Sequence, residues 1–143
     1  LMINDDEARQ LADESNLVKA SQWIRERGPD IVVVKKGEHG AILFADDWLF
    51  CVPGFPLEEV FDPTGAGDAF AGGFMGHIER SSSLDTADLR RAMVYGSIMG
   101  SFAVERFSVD CFIDLTTEAI EERMLRFHEM TAFQRYAQVE ERV

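Results

Sequence analysis

Hydrophobic positions change period several times along the chain, and each change marks an element. Residues Asp5 to Glu14 carry Ala8, Leu11 and Ala12 at helical spacing among charged neighbours, which predicts a polar-faced helix. Val18 to Arg27 predicts a second helix with Ala20, Trp23 and Ile24 inward, stopped by Gly28-Pro29. Ile31 to Val34 is a short, wholly apolar, β-branched run, and such a run predicts a strand buried on both faces, as in a parallel sheet. Lys35 to Gly40 reads as a turn, and Ala41 to Ala45 with Trp48 to Val52 as a hairpin around Asp46-Asp47. Pro53 to Val60 reads as a connector closing on a short strand.

After Thr64 the pattern turns helical. Helices are expected over Asp68 to Ile78 and over Asp85 to Phe107, the second with the small residues Ala92, Gly96 and Gly100 on one face. Thr116 or Thr117 can N-cap a last helix running towards Tyr136, with Glu118 and Glu121 in a first turn that suits the helix dipole. Residues 138–143 read as a frayed tail. Helix, strand, hairpin and helices make an α/β order, consistent with part of a layered sheet. The strands are too few for a comfortable doubly wound domain, and the chain opens on Leu1 rather than Met, so a piece of a longer chain is expected.

Composition narrows the function classes. At 143 residues the chain fits one domain, and no run approaches the roughly 20 apolar residues of a membrane span. Its first residues lack the basic and apolar regions of a signal peptide. Fourteen basic against 26 acidic residues give a net charge of −12, which argues against nonspecific binding to nucleic acid or anionic membranes. Cys51 and Cys111 lie far apart without metal-ligand spacing and read as buried free thiols in a reducing, cytoplasmic compartment. His39, His77 and His128 form no cluster and read as surface or packing residues.

The chemistry concentrates between Phe61 and Phe74, in the string Phe-Asp-Pro-Thr-Gly-Ala-Gly-Asp-Ala-Phe-Ala-Gly-Gly-Phe. Pro63 fixes the chain entry, and Gly65 and Gly67 allow backbone conformations and close approaches that side chains would forbid. A helix follows at once. Its first N–H groups lack intrahelical partners, and together with the positive end of the dipole they make an anion site. Asp68 falls in the first turn beside that site. It can complement the dipole after a tight turn, or it can take a proton from a hydroxyl attacking a bound phosphate. No Gly-Lys-Ser/Thr follows, so this is not a Walker loop, and the spacing is not that of a dinucleotide fingerprint.

The contiguous string from Asp62 through Gly73 closely resembles the C-terminal signature of the ribokinase-like carbohydrate kinases, the phosphofructokinase B family. The resemblance implies the C-terminal part of a three-layer α/β/α, Rossmann-like fold, with ATP and Mg2+ as cofactors. It implies that Gly65, Ala66 and Gly67 form the anion hole, that Asp68 is the catalytic base, and that Asp62 and Thr64 lie near the nucleotide phosphates and the metal-bound water. Asn4-Asp5-Asp6-Glu7 is similar to the family's Asn-x-x-Glu motif, in which Asn4 and Glu7 would place magnesium and phosphate through water; an Asn N-cap explains the same residues. Lys35-Lys36-Gly37-Glu38-His39-Gly40 resembles the family's strand-end turn at the nucleotide, with Lys35, Gly37 and Gly40 as binding positions. Ser97, Gly100 and Ser101 would leave space for a base or serve close helix packing. Where the family often has a Gly-x-x-x-Pro-like loop, this chain has Glu105 to Asp110 instead. The implied acceptor is a small molecule: a sugar, sugar phosphate or nucleoside. The other reading is a nucleotide-binding regulatory or interaction module without turnover. Uncovered sheet edges also lead to the expectation of a homo-oligomer.

Overall fold

The computed structural model describes residues 1–81, 83–106 and 110–133. Its centre is strand β2 (Ile31–Lys35), whose Val32 and Val34 are fully buried on one face and Val33 nearly so on the other. Side chains alternate across a strand, so an unbroken valine run needs a hydrophobic layer on each side. Both layers are present. Val32 and Val34 pack with Ala8, Ile24 and Phe44 beneath helices α1 (Asp5–Ala12) and α2 (Leu17–Arg25). Val33 packs with Leu43, Ala45, Val52, Phe70, Met93 and Ile98, beneath helices α3 (Ala66–Arg80) and α4 (Thr86–Ala103). The result is an α/β/α sandwich, as expected.

The sheet has four strands in the order β1-β2-β3-β4. β1 (Met2–Asn4) runs parallel to β2, with Asn4 opposite Lys35, so both strands end at the same edge. β3 (Ala41–Ala45) and β4 (Trp48–Val52) continue antiparallel as the expected hairpin. Strand β1 escaped the sequence reading because three residues show no period. Cys51 corrects an expectation: it is exposed, because β4 is a border strand that turns Leu49 and Cys51 outward while Val52 stays buried. Leu11 is also exposed, and α1 buries only Ala8 and Ala12.

Helices α3 and α4 approach closely because small residues face large ones. A side chain at Gly96 would meet the Phe70 ring at 2.9 Å, and one at Gly73 would meet the Tyr95 carbonyl at 2.7 Å. The small face expected on α4 is therefore a packing face, with Ala92 fully buried in it. Helix α4 stops at Ala103, short of the expected Phe107, and Val104 is its C-cap. A short α5 (Asp110–Ile113) and a longer α6 (Thr117–Thr131) follow; Thr116 is the N-cap, accepting from the Ala119 N–H at 3.2 Å. No strand closes the connector 53–60. The expected continuation to Tyr136, the frayed tail and the Cys111 side chain lie outside the described residues. His77 is a packing residue, stacked on Tyr95 with centroids 4.8 Å apart.

Two measurements test this account. Leu43 is fully buried and Leu49 on the neighbouring strand is 48% exposed. Leu43→Ala should cost about 2–5 kcal/mol in urea unfolding, whereas Leu49→Ala should stay within about 0.5 kcal/mol. Equal effects would contradict the layer assignment. Acid sensitivity follows from two carboxylates held below the ordinary value of 3.8, Asp5 chiefly by a hydrogen bond from Arg9 and Asp88 chiefly by one from Ser83. A carboxylate lowered on folding binds fewer protons in the folded state, so its contribution is present above the ordinary range and lost as pH falls through the folded value. The urea midpoint should therefore drop as pH falls below about 5 and on through the lowered folded values, and drop less in Asp5→Asn and Asp88→Asn.

Candidate active site

The loop from Phe61 to Thr64 enters helix α3 under tight local constraint. The Phe61 N–H donates to the Val104 carbonyl at 2.8 Å, and the Asp62 N–H reaches the same carbonyl at 3.4 Å. Asp62 then accepts from the Thr64 N–H at 2.9 Å. Hydrogen bonding from the Thr64 hydroxyl, with the backbone bond behind it, holds the Asp62 carboxyl below the usual carboxylate range. Asp62 and Thr64 thus shape the turn and leave Thr64 exposed beside it.

Gly65 is the N-cap of α3, at φ +82°, and no side chain caps the helix. An L-residue is strained at that φ, so the glycine is what allows the chain to turn directly into the helix. The Ala66 N–H is used by the Pro63 carbonyl at 3.2 Å, and the Ala69 N–H by the Gly65 carbonyl at 2.9 Å. Between them, the N–H groups of Gly67 and Asp68 have no hydrogen-bond partner among the described residues. Two adjacent free donors at the positive end of a 15-residue helix can serve as a cradle for an anion. Asp68 is exposed in the first turn at the rim of this cradle.

The two glycines divide the roles expected of them, backbone conformation and close approach. Gly67 is helical, and positive φ in this loop belongs to Gly65 alone. What Gly67 supplies is room for Lys35: a Cβ there would stand 2.7 Å from the Lys35 Nζ. Lys35 Nζ donates to the Gly67 carbonyl at 3.3 Å, bringing an ammonium from the end of β2 to the start of α3. In a chain of net charge −12, this lysine places positive charge beside the cradle.

Asn4 and Glu7 meet in a reciprocal capping box. The Asn4 side chain accepts from the Glu7 N–H at 2.7 Å, and a Glu7 oxygen accepts from the Asn4 N–H at 2.8 Å. Both residues are exposed, and Asn4 neighbours Lys35 across the sheet. The structure therefore links Asn4 and Glu7 to Lys35, and Lys35 to Gly67, along one edge of the sheet. Gly37 is exposed in a single 3-10 turn, Gly37–His39. Gly40 is instead buried against backbone: a Cβ there would stand 2.0 Å from the Val52 carbonyl, with Gly54 next to it. Ser97 and Ser101 are also buried, and their hydroxyls are spent on the Pro53 and Ile98 carbonyls at 2.8 and 2.6 Å. They pack rather than open space. The sequence reading missed Gly54 and Val104; a carbonyl that ties a distant loop leaves no trace in composition.

No group of three or more His, Cys, Asp or Glu side chains among the described residues could hold a metal ion directly. Glu7, exposed and with one carboxylate oxygen held by the Asn4 N–H, is an oxygen donor of the kind magnesium takes through water. Two open depressions of about 320 and 300 Å³ flank Asp46 and Trp48, at the opposite end of β2 from Lys35, and include none of these residues.

Comparison with known proteins places this geometry. Residues 1–113 match the model of the pfkB family of carbohydrate kinases. The chain is 34% identical over 102 residues to aminoimidazole riboside kinase of Salmonella typhimurium, covering 71% of this chain and 32% of that protein. It is 38% identical over 97 residues to a nucleoside kinase of Methanothermobacter thermautotrophicus, covering 68% and 29%. The chain thus spans about a third of the length of these relatives. The crystal structure of aminoimidazole riboside kinase from Salmonella enterica, complexed with aminoimidazole riboside and an ATP analog, superposes with a TM-score of 0.74 at 28% identity, over 86% of this chain and 41% of that one. A fructokinase from Vibrio cholerae O395, at 23% identity and a TM-score of 0.75 over 85% and 39%, shares the fold. The family match runs through the capping box, the Lys35 turn and the whole cradle, and this chain belongs to the pfkB family of carbohydrate kinases.

Proposed function

We propose that this chain is the nucleotide-side part, in a single domain over 1–143, of a cytoplasmic kinase that transfers a phosphoryl group from ATP to a hydroxyl of a sugar, sugar phosphate or nucleoside. The observation that carries the reading is the pair of free N–H groups at Gly67 and Asp68, with the Lys35 ammonium at the Gly67 carbonyl and the Asp68 carboxylate in the same first turn. A carboxylate at the rim of an anion cradle opposes simple anion binding. It is useful where a hydroxyl must lose a proton as it attacks a bound phosphate.

In this reading the free N–H groups of Gly67 and Asp68, presented by the Gly65-Ala66-Gly67 turn, hold the charge that develops on the transferring group, with Lys35 adding its own. Asp68 accepts the acceptor's hydroxyl proton. The acceptor oxygen forms its bond to the γ-phosphorus, the bond from that phosphorus to the bridging oxygen breaks, and ADP leaves with the electron pair. Asp62 and Thr64 keep the loop in the conformation that leaves the donors free. Gly37 lets backbone approach the nucleotide, and Gly40 holds that turn against Gly54. Magnesium would neutralise phosphate charge when bound, and Glu7 would reach it through water with its carboxylate oriented by the Asn4 N–H.

Replacing Asp68 by Asn keeps the shape and removes the base. In the complete kinase kcat should fall by roughly 10²–10⁴, while nucleotide affinity stays within a few-fold; a variant with near wild-type kcat would sink the assignment. A coupled assay over a panel of sugars and nucleosides provides the measurement. Gly67→Val should push the Lys35 ammonium from its seat and cover the free donors. Titrations with ATP, ADP and adenosine should then show losses that grow with phosphate number, and equal losses for all three would point to misfolding instead.

A further inference from the structure

Helix α6 lies beyond the residues of the family match, yet one of its side chains reaches the structure that holds the cradle. Arg123 on α6 donates to both carboxylate oxygens of Glu105, at 2.8 and 3.0 Å, and to the Ser101 hydroxyl at 2.9 Å. Its guanidinium stacks 3.6 Å from the Phe102 ring centroid and lies 5.1 Å from that of Phe55. Only 13% of the Arg123 side chain is exposed. The fork therefore binds the last turn of α4 from two sides, at Ser101 and at Glu105. Between those two positions lies Val104, whose carbonyl receives the Phe61 and Asp62 N–H groups. One turn earlier, Gly100 faces the Ala66 carbonyl, where a Cβ would stand at 3.3 Å.

The geometry points to Arg123 as a positioning residue for the phosphate loop: by clamping the end of α4 it fixes the carbonyl from which residues 61–68 hang. The last carbonyls of a helix have no intrahelical donor, and the final turn frays unless something holds it. Here the loop supplies the donors, and Arg123 supplies the rigidity. A guanidinium is suited to this, because its planar fork directs one nitrogen to the Glu105 carboxylate and the other to the Ser101 hydroxyl while its face stacks on an aromatic ring. Removing it also leaves Glu105 without its partner, one residue from the anchoring carbonyl.

The kinetic half of this inference rests on the cradle being the phosphate site; the structural half does not. The test is therefore read twice, in the complete kinase. Hydrogen–deuterium exchange should rise in residues 60–68 of Arg123→Met and rise less in Arg123→Lys, which keeps charge but not the fork. Leu43→Val, which loosens the sheet core, serves as the control for general destabilisation and should leave 60–68 at the wild-type level. With ATP as the varied substrate, Arg123→Met should lower kcat/KM by roughly ten- to a hundred-fold, as loss of alignment does, while the KM for the acceptor stays constant. Should Arg123→Met not fold, Glu105→Gln weakens the same clamp from its other side and should shift exchange in the same segment. Exchange in 60–68 that matches wild type, or that rises no more than in the rest of the chain, overturns the inference. Raised exchange with unchanged ATP kinetics keeps the clamp and overturns the phosphate reading of the loop.

Discussion

The molecule depends on one strand being buried on both sides. Val32 and Val34 go under α1 and α2, and Val33 goes under α3 and α4. Each buried valine contributes on the order of 1.5–3 kcal/mol relative to an exposed one, but the larger consequence is geometric. A strand gripped from both faces and hydrogen-bonded on both edges, to β1 and to β3, is held in register by two neighbours at once. Its last residue is therefore placed with the same certainty as its centre. That residue is Lys35, and its ammonium arrives at the Gly67 carbonyl because the strand delivers it there.

The free N–H pair at the start of α3 is held by backbone. Gly65 turns the chain, Pro63 and Gly65 carbonyls occupy the flanking N–H groups, and the two donors between them stay free. Such donors are already oriented before a ligand arrives, so little reorganisation accompanies binding. The price is a loop that must be pinned from outside, since a glycine-rich turn has much freedom to lose. The pins are Val104 at the end of α4 and Lys35 at the end of β2. Close packing of α3 on α4, through Gly96 against Phe70, sets how far apart those two pins stand.

Much of the site was legible because its chemistry is contiguous. Asp62 to Gly73 carries the turn, the cradle and the carboxylate within a single segment, so helix-terminus physics can be read from it directly. The turn from Lys35 to Gly40 was legible for a related reason, as glycines that follow a buried strand mark its end. The roles within each segment were less legible. Gly67 could serve by its φ or by allowing close approach, and the structure uses it as space for a lysine 32 positions away. Nothing in the sequence around Gly40 indicated that it packs on the backbone of Val52 and Gly54. Ser97 and Ser101 could leave space for a base or serve close packing, and their internal hydrogen bonds favour packing.

Sequence by itself determined the layered α/β class, the strand at Ile31 to Val34, the hairpin, and the helix that begins at the glycine loop. These follow from local periodicity and local backbone preference, which act over a few residues and leave their mark in the residues themselves. Tertiary structure alone decided that Cys51 faces outward, that β1 exists, and that Lys35, Asn4 and Gly67 share one edge. It also decided that Arg123 grips Ser101 and Glu105 while Val104 holds Phe61 and Asp62. Each of these depends on which strand borders which, or on a carbonyl that every residue carries alike. A backbone oxygen has no residue type, so its partner is fixed only when the chain has folded.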